Sequence, residues 1–306
     1  MKCVVYGSRS PVLHQALEEV KRKFLEEKIL TDFDFMIISL NYRYPYENLH
    51  RDLIRIFDIN GDEYFGFHST ESIEETKIHD GIAICFLKFE NKGQVKVYWD
   101  SGISDYTSNR LLDRLVEYLE ENRNFLNIFF SAWEDKNLGL FIEDLGRILG
   151  QKGFYPNLVG GVSSGKKFNG ELRTYQFYKG KVIKDGFGIL TFENFDFALG
   201  ISLGFKPISP VYEVKKADGY KVYEVDGGVS FKEIVENFLV GLEKKVEYLW
   251  YCPIVLFEDE EGYVRVQRTF KEIGKDWVEF FAPVHEGDKF TLSFGIPEML
   301  LQSTQE

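Results

Sequence analysis

The front part of this chain is written twice. Asp52-Leu53-Ile54-Arg55-Ile56-Phe57 closes one amphipathic segment, and Asp144-Leu145-Gly146-Arg147-Ile148-Leu149 closes another. At the same offset, Phe35-Met36-Ile37-Ile38-Ser39 returns as Asn127-Ile128-Phe129-Phe130-Ser131. Farther on, Phe65-Gly66-Phe67-His68-Ser69-Thr70 parallels Val159-Gly160-Gly161-Val162-Ser163-Ser164, and Asp80-Gly81-Ile82 parallels Asp185-Gly186-Phe187. Both copies must therefore adopt one order of elements.

Periodicity supplies that order. In the first copy a helix starts near Ser10-Pro11, a serine cap followed by a first-turn proline, and runs to Glu27 with Val12, Ala16, Val20 and Phe24 on its apolar face. A strand at 33–40, a helix at 48–57 and a strand at 64–68 follow. An antiparallel pair, 81–89 with 94–99, is predicted around a turn at Glu90-Asn91-Lys92-Gly93. The second copy has its helix at 108–121 and later strands at 174–178, 187–192 and 197–203. The reading is an α/β (α+β) fold: two tandem βαβα-plus-strands repeats, about 1–105 and 106–210, with mixed sheets flanked by helices. Beyond Pro210 a smaller strand-rich α+β unit fills 211–306, with strands near 220–225, 253–257, 263–268, 277–281 and 289–294 and a helix from Ser230 to about Leu242.

The composition narrows the function. Of 306 residues 44% are hydrophobic and 16% aromatic, enough apolar surface to fold throughout. A net charge of -12 with no basic stripe repels a phosphate backbone, so nucleic acid is excluded as a partner. Cys3, Cys85 and Cys252 are far apart, which suits a reducing compartment and suggests neither disulfides nor zinc. No apolar run has the length of a signal-peptide core or a membrane span. A cytoplasmic protein with no membrane insertion is the expectation.

Several separated segments, in order, resemble the FIST family. Gly66-Phe67-His68-Ser69-Thr70-Glu71 is similar to its Gly-Cys-Ser-Thr segment, with His68 where cysteine is usual. Gly160-Gly161-Val162-Ser163 resembles its Gly-Gly turn, Gly204-Phe205-Lys206-Pro207-Ile208 its Gly-x-x-Pro-Ile, and Glu224-Val225-Asp226-Gly227 its Glu-Leu-Asp-Gly. Val264-Arg265 and Val284-His285-Glu286-Gly287-Asp288 resemble the start of its C-terminal half. The resemblance implies a FIST N-like domain over 1–210 and an incomplete FIST C-like domain over 211–306. Because the family continues past this point, the chain is expected to be a truncated form or the front of a longer receptor with an output domain such as a diguanylate cyclase. It also implies a non-enzymatic sensory module for an amino acid or related metabolite, which signals to an output domain or partner protein.

The candidate ligand-binding residues are His68, Ser69 and Thr70 from one copy, Gly160, Gly161 and Ser163 from the other, and Arg265 as a carboxylate partner. His68 can bond a carboxylate, ligate haem iron or pack as a satisfied core ring; no cofactor is expected, and no catalytic or metal-binding residue is assigned. Tyr42, Tyr44 and Tyr46 form either a stacking surface or a lid on the core. Two sharper motifs lack their context. Gly160, Gly165 and Lys166 have P-loop spacing, but Lys167 stands where Ser or Thr would hold magnesium. Gly161-Val162-Ser163-Ser164-Gly165 fits a nucleophile elbow, yet no helix is predicted after it. The alternatives are thus an interaction scaffold without a tight ligand, or a serine hydrolase acting through Ser163.

Overall fold

In the computed structural model, alternation along the long strands of the front part sends one set of side chains to a helical layer and the other set to a second sheet. The structure describes residues 1–74, 77–90, 94–133, 137–200, 204–239, 246–257, 265–295 and 298, and of residues 74, 77, 78, 246, 247 and 265 the backbone alone. The chain divides into two units, Met1–Ala198 and Leu199–Glu306, somewhat ahead of Pro210.

The first unit runs β1 (Lys2–Ser8), α1 (Leu13–Glu27), β2 (Phe35–Asn41), α2 (Leu49–Phe57), β3 (Tyr64–Ser69), a small hairpin β4 (Ser72–Glu74) and β5 (Lys77–His79), then β6 (Ile82–Lys88). It continues with β7 (Val95–Ser101), α3 (Leu111–Glu121), β8 (Leu126–Ser131), α4 (Leu138–Lys152), β9 (Leu158–Val162), β10 (Lys167–Phe168), β11 (Glu171–Leu172), β12 (Gln176–Tyr178), β13 (Lys181–Ile183) and β14 (Gly186–Phe192). One sheet has the order β1-β6-β2-β3-β12-β13 and the other β7-β14-β8-β9. In each sheet one pair is parallel, β2 with β3 and β8 with β9, and the remaining pairs are antiparallel.

The order β1-β6-β2-β3 reappears as β7-β14-β8-β9, so the duplication is structural. This corrects the hairpin read at 81–99. Strand β6 is already paired on both edges, by β1 and β2, while β7 pairs with β14 and takes the place in the second sheet that β1 takes in the first. The copies therefore divide between β6 and β7 rather than near residue 105. The strand expected at 197–203 is not formed over 197–200, and 201–203 lie outside the described residues.

Leu13, Ala16, Leu17, Val20 and Phe24 recur at helical spacing on α1 and bury against the outer face of the first sheet. Lys28 ends this helix in the left-handed conformation at φ 54°, and Gly153 ends α4 at φ 73°. Met36, Ile38 and Leu40 meet α1 and α2, while Phe35 and Ile37 point the other way, toward Leu126, Ile128 and Phe130 of the second sheet. Phe187 and Ile189 of β14 meet α3 and α4. The unit is thus four layers, helices on both outer faces and two sheets packed face to face.

The second unit comprises β15 (Lys206–Pro207), β16 (Tyr212–Asp218), β17 (Lys221–Val225), β18 (Val229–Ser230), α5 (Phe231–Phe238), α6 (Val246–Leu249), β19 (Ile254–Phe257), β20 (Arg265–Arg268), β21 (Phe270–Ile273), β22 (Val278–Phe280) and β23 (Lys289–Phe294). Its sheet follows β20-β19-β23-β16-β17-β22-β21, with β15 on β23 and β18 on β17. Phe231, Ile234 and Val235 of α5 share a core with Phe270, Phe280 and Phe290. The acidic run Glu258 to Glu261, read as a solvated turn, lies outside the described residues.

Candidate functional site

Parallel pairing brings the C-terminal ends of β2 and β3 to one edge of the first sheet, where the chain leaves for α2 and for the β4–β5 hairpin. Asn41, the last residue of β2, is 1% exposed and organises that edge. Its Nδ2 donates to the Thr70 carbonyl at 2.6 Å, and its Oδ1 accepts the Arg43 amide at 3.0 Å. A cavity of about 360 Å³ opens beside them, lined by Arg9, Tyr42, Arg43, Thr70, Glu71, His79, Asp80 and Lys166. Arg43 Nη1 lies 3.1 Å from Asp80 Oδ2, with both side chains well exposed, and Arg43 Nε donates to the Tyr42 hydroxyl at 3.2 Å. Such an exposed pair contributes little to stability and is readily exchanged for a ligand charge.

The second copy reaches the same edge. The Thr70 amide donates to Ser164 Oγ at 3.1 Å, and the two hydroxyls are 3.3 Å apart. The loop after β9 thereby carries Lys166 into the cavity wall. No helix follows that loop, which runs directly into β10, so it has neither the helix N-terminus of a P-loop nor the helix of a nucleophile elbow.

Of the residues singled out in the sequence, Thr70 lines this cavity. Ser69 is 4% exposed and joins Ser39 (2.9 Å) and Ser72 (3.4 Å) in a buried hydroxyl trio. Ser163 is equally buried: its amide donates to the Ser131 carbonyl, and its Oγ accepts Gln176 Nε2 at 2.8 Å. Gly160 and Gly161 are exposed on β9, which ends the second sheet. Arg265 begins β20 in the second unit, and its side chain lies outside the described residues.

His68 is fully buried, on the helical side of β3, within an aromatic box. Ring centroids of Phe177, Tyr175 and Tyr46 lie 4.9, 5.3 and 5.6 Å away. The Tyr175 amide donates to His68 Nδ1 at 3.2 Å, which places the neutral ring's proton on Nε2, an atom without a hydrogen-bond partner. Burial pushes the imidazole down to about 3, and the nearby Arg173 cation adds to the shift. Arg173 itself is 8% exposed; its Nη1 donates to the carbonyls of Tyr42 and Tyr44, and its guanidinium stands 5.1 Å from the Tyr46 ring. Lys184, 2.7 Å from Glu171, holds that carboxyl down to about 2 together with Tyr175. The tyrosine loop is therefore a lid over the first sheet, strapped down by the second copy.

Arg9, Arg43, Glu71, Asp80 and Lys166 were not assigned as ligand residues from the sequence, although four of them lie in segments that drew attention: Arg43 in the tyrosine loop, Glu71 in the FIST-like segment, Asp80 in the repeated turn and Lys166 in the P-loop-like spacing. The adjacent glycines also separate. Gly160 has φ 153°, and a Cβ there would lie 1.9 Å from the Phe129 carbonyl oxygen, whereas a Cβ on Gly161 meets nothing within 4 Å. Gly160→Ala is expected to cost about 3 kcal/mol by forcing β8 and β9 apart, and Gly161→Ala less than about 0.5 kcal/mol. Equal urea midpoints for the two variants would overturn this assignment.

Among the described residues no group of three His, Cys, Asp or Glu side chains is placed to hold a metal ion, and no helix is long and apolar enough to cross a membrane. The family model of the FIST N domain matches residues 34–228, from β2 through β17. An uncharacterised protein of Aquifex aeolicus is 85% identical over 262 residues, 86% of this chain and 97% of that protein. An uncharacterised protein of Methanocaldococcus jannaschii is 27% identical over 167 residues, 51% of this chain and 31% of that protein. No solved structure matches the chain.

Proposed function

Because the chain belongs to the FIST N domain family, we propose that it is a cytoplasmic sensory module whose cavity at the ends of β2 and β3 receives a small zwitterion, an amino acid or related metabolite. The supporting observation is the wall chemistry. Arg9, Arg43 and Lys166 offer cations to a carboxylate, Glu71 and Asp80 offer carboxylates to an ammonium, and Thr70 offers a hydroxyl. On this reading the module binds its ligand without turning it over; burial of the Ser163 hydroxyl against Gln176 supports it over a hydrolase acting through that serine. Occupancy reaches the second copy through Arg173, which grips the carbonyls of Tyr42 and Tyr44 behind the wall, and passes from there to an output domain or partner protein.

The test is a thermal-shift screen of the whole chain against the amino acids, followed by Arg43→Ala. A ligand at a hundred times its Kd stabilises by about 2.7 kcal/mol. Losing one charge-assisted hydrogen bond weakens binding roughly tenfold or more. No shift with any amino acid, or a shift that Arg43→Ala leaves intact, removes the ligand from this cavity. The absence of any shift favours an interaction scaffold instead, a reading supported by Val159 and Val162, both exposed on β9.

A further inference from the structure

The opposite end of the same sheet holds a larger cavity of different chemistry. It measures about 520 Å³ and opens between the starts of β2 and β7 and the approach to β3. Phe35, Phe89, Tyr98 and Tyr178 present rings to it, with Tyr118 stacked on Tyr98 at 4.3 Å. Its charged lining is mainly acidic: Asp34, Asp62 and Glu63 against Lys96, whose ammonium is drawn to Glu193 at 2.5 Å. Asp34 is paired with Lys88 at 3.1 Å and Glu63 with Asn60 at 2.8 Å, so both are fixed in place.

Two observations point to a ligand. Gln94 lines the cavity and is 9% exposed as a residue, yet its side-chain amide has no hydrogen-bond partner among the described residues and stays reachable from the cavity, a free donor and acceptor in its wall. Beside it, Lys179 Nζ lies 5.4 Å over the Tyr178 ring and 3.4 Å from Asp62, so this wall already holds an ammonium between an aromatic face and a carboxylate. We infer that this cavity is a second binding site, for an aromatic amine. The ring would lie among the phenylalanines and tyrosines, the ammonium at Asp62, and a polar ring substituent at the Gln94 amide. The cavity described above, with cations and carboxylates in one wall, suits a zwitterion instead.

The experiment is calorimetric titration of the whole chain with tyramine and, separately, with 3-(4-hydroxyphenyl)propionate, which keeps the ring and replaces the ammonium by a carboxylate. Saturable one-to-one binding of tyramine is expected, at least tenfold tighter than the propionate. A loss of at least tenfold is expected in Gln94→Leu, with Asp62→Asn, on an exposed side chain, as a second variant should Gln94→Leu fail to fold. Absence of saturation by tyramine, equal affinity for the propionate, or variants that fold and bind tyramine as the parent does would each overturn the site.

Discussion

Replacing Phe65 by alanine is expected to cost about 3–5 kcal/mol, a large share of the stability of a single domain. Phe65 is fully buried on β3 and projects from the first sheet into the second, with its ring 5.3 Å from that of Phe130. On the facing strand β14 the chain has Gly188, and a Cβ built there would lie 2.3 Å from the Phe65 ring. The two residues share one space between the sheets, so Gly188→Ala alone should cost about 1–3 kcal/mol through overpacking. Their combination should be less damaging than the sum, because the alanine methyl occupies room that the lost phenyl vacates; a coupling of about 1 kcal/mol or more is expected. Urea unfolding of the four proteins in the cycle measures it. Strict additivity would mean that the sheets are not held together at this point.

That pair also marks what was legible in the sequence. The duplication was readable because helix and strand periodicities repeat with the same spacing, and Phe35, Ile37 and Ile38 display strand burial without help from tertiary structure. What alternation does not encode is which sheet a strand joins. Val95, Val97 and Trp99 of β7 turn their apolar side to the layer between the sheets, and a hairpin with β6 would expose the same alternation. Strands β6 and β7 therefore read as a hairpin although they belong to different sheets. The candidate site was legible only at Thr70. Arg9, Arg43, Asp80 and Lys166 come from four separate segments with no shared period, and only strand pairing gathers them. His68 drew attention for its residue type, yet the aromatic box around it is built from Tyr46, Tyr175 and Phe177, two of them from the other copy.

That box makes the protein acid-sensitive in a calculable way. His68 is held neutral, titrating near 3 in the folded chain against about 6.5 when unfolded. Between these values the unfolded chain binds a proton that the folded chain refuses, so stability is full above pH 6.5 and falls as the pH drops toward 3. The difference amounts to about 2 kcal/mol at pH 5 and grows further on acidification. His68→Gln removes the titration while retaining a side-chain acceptor for the Tyr175 amide. The variant is expected to lose some packing at pH 7.5, but its deficit relative to the parent should shrink by about 2 kcal/mol at pH 5. All other ionisable groups are common to the two proteins, so their contributions cancel in that comparison. An unchanged deficit at the two pH values would mean that His68 is not kept neutral by the fold. A shrinking one would show that acid unfolding draws on the cost of charging an imidazole that Tyr46, Tyr175 and Phe177 shut away from water.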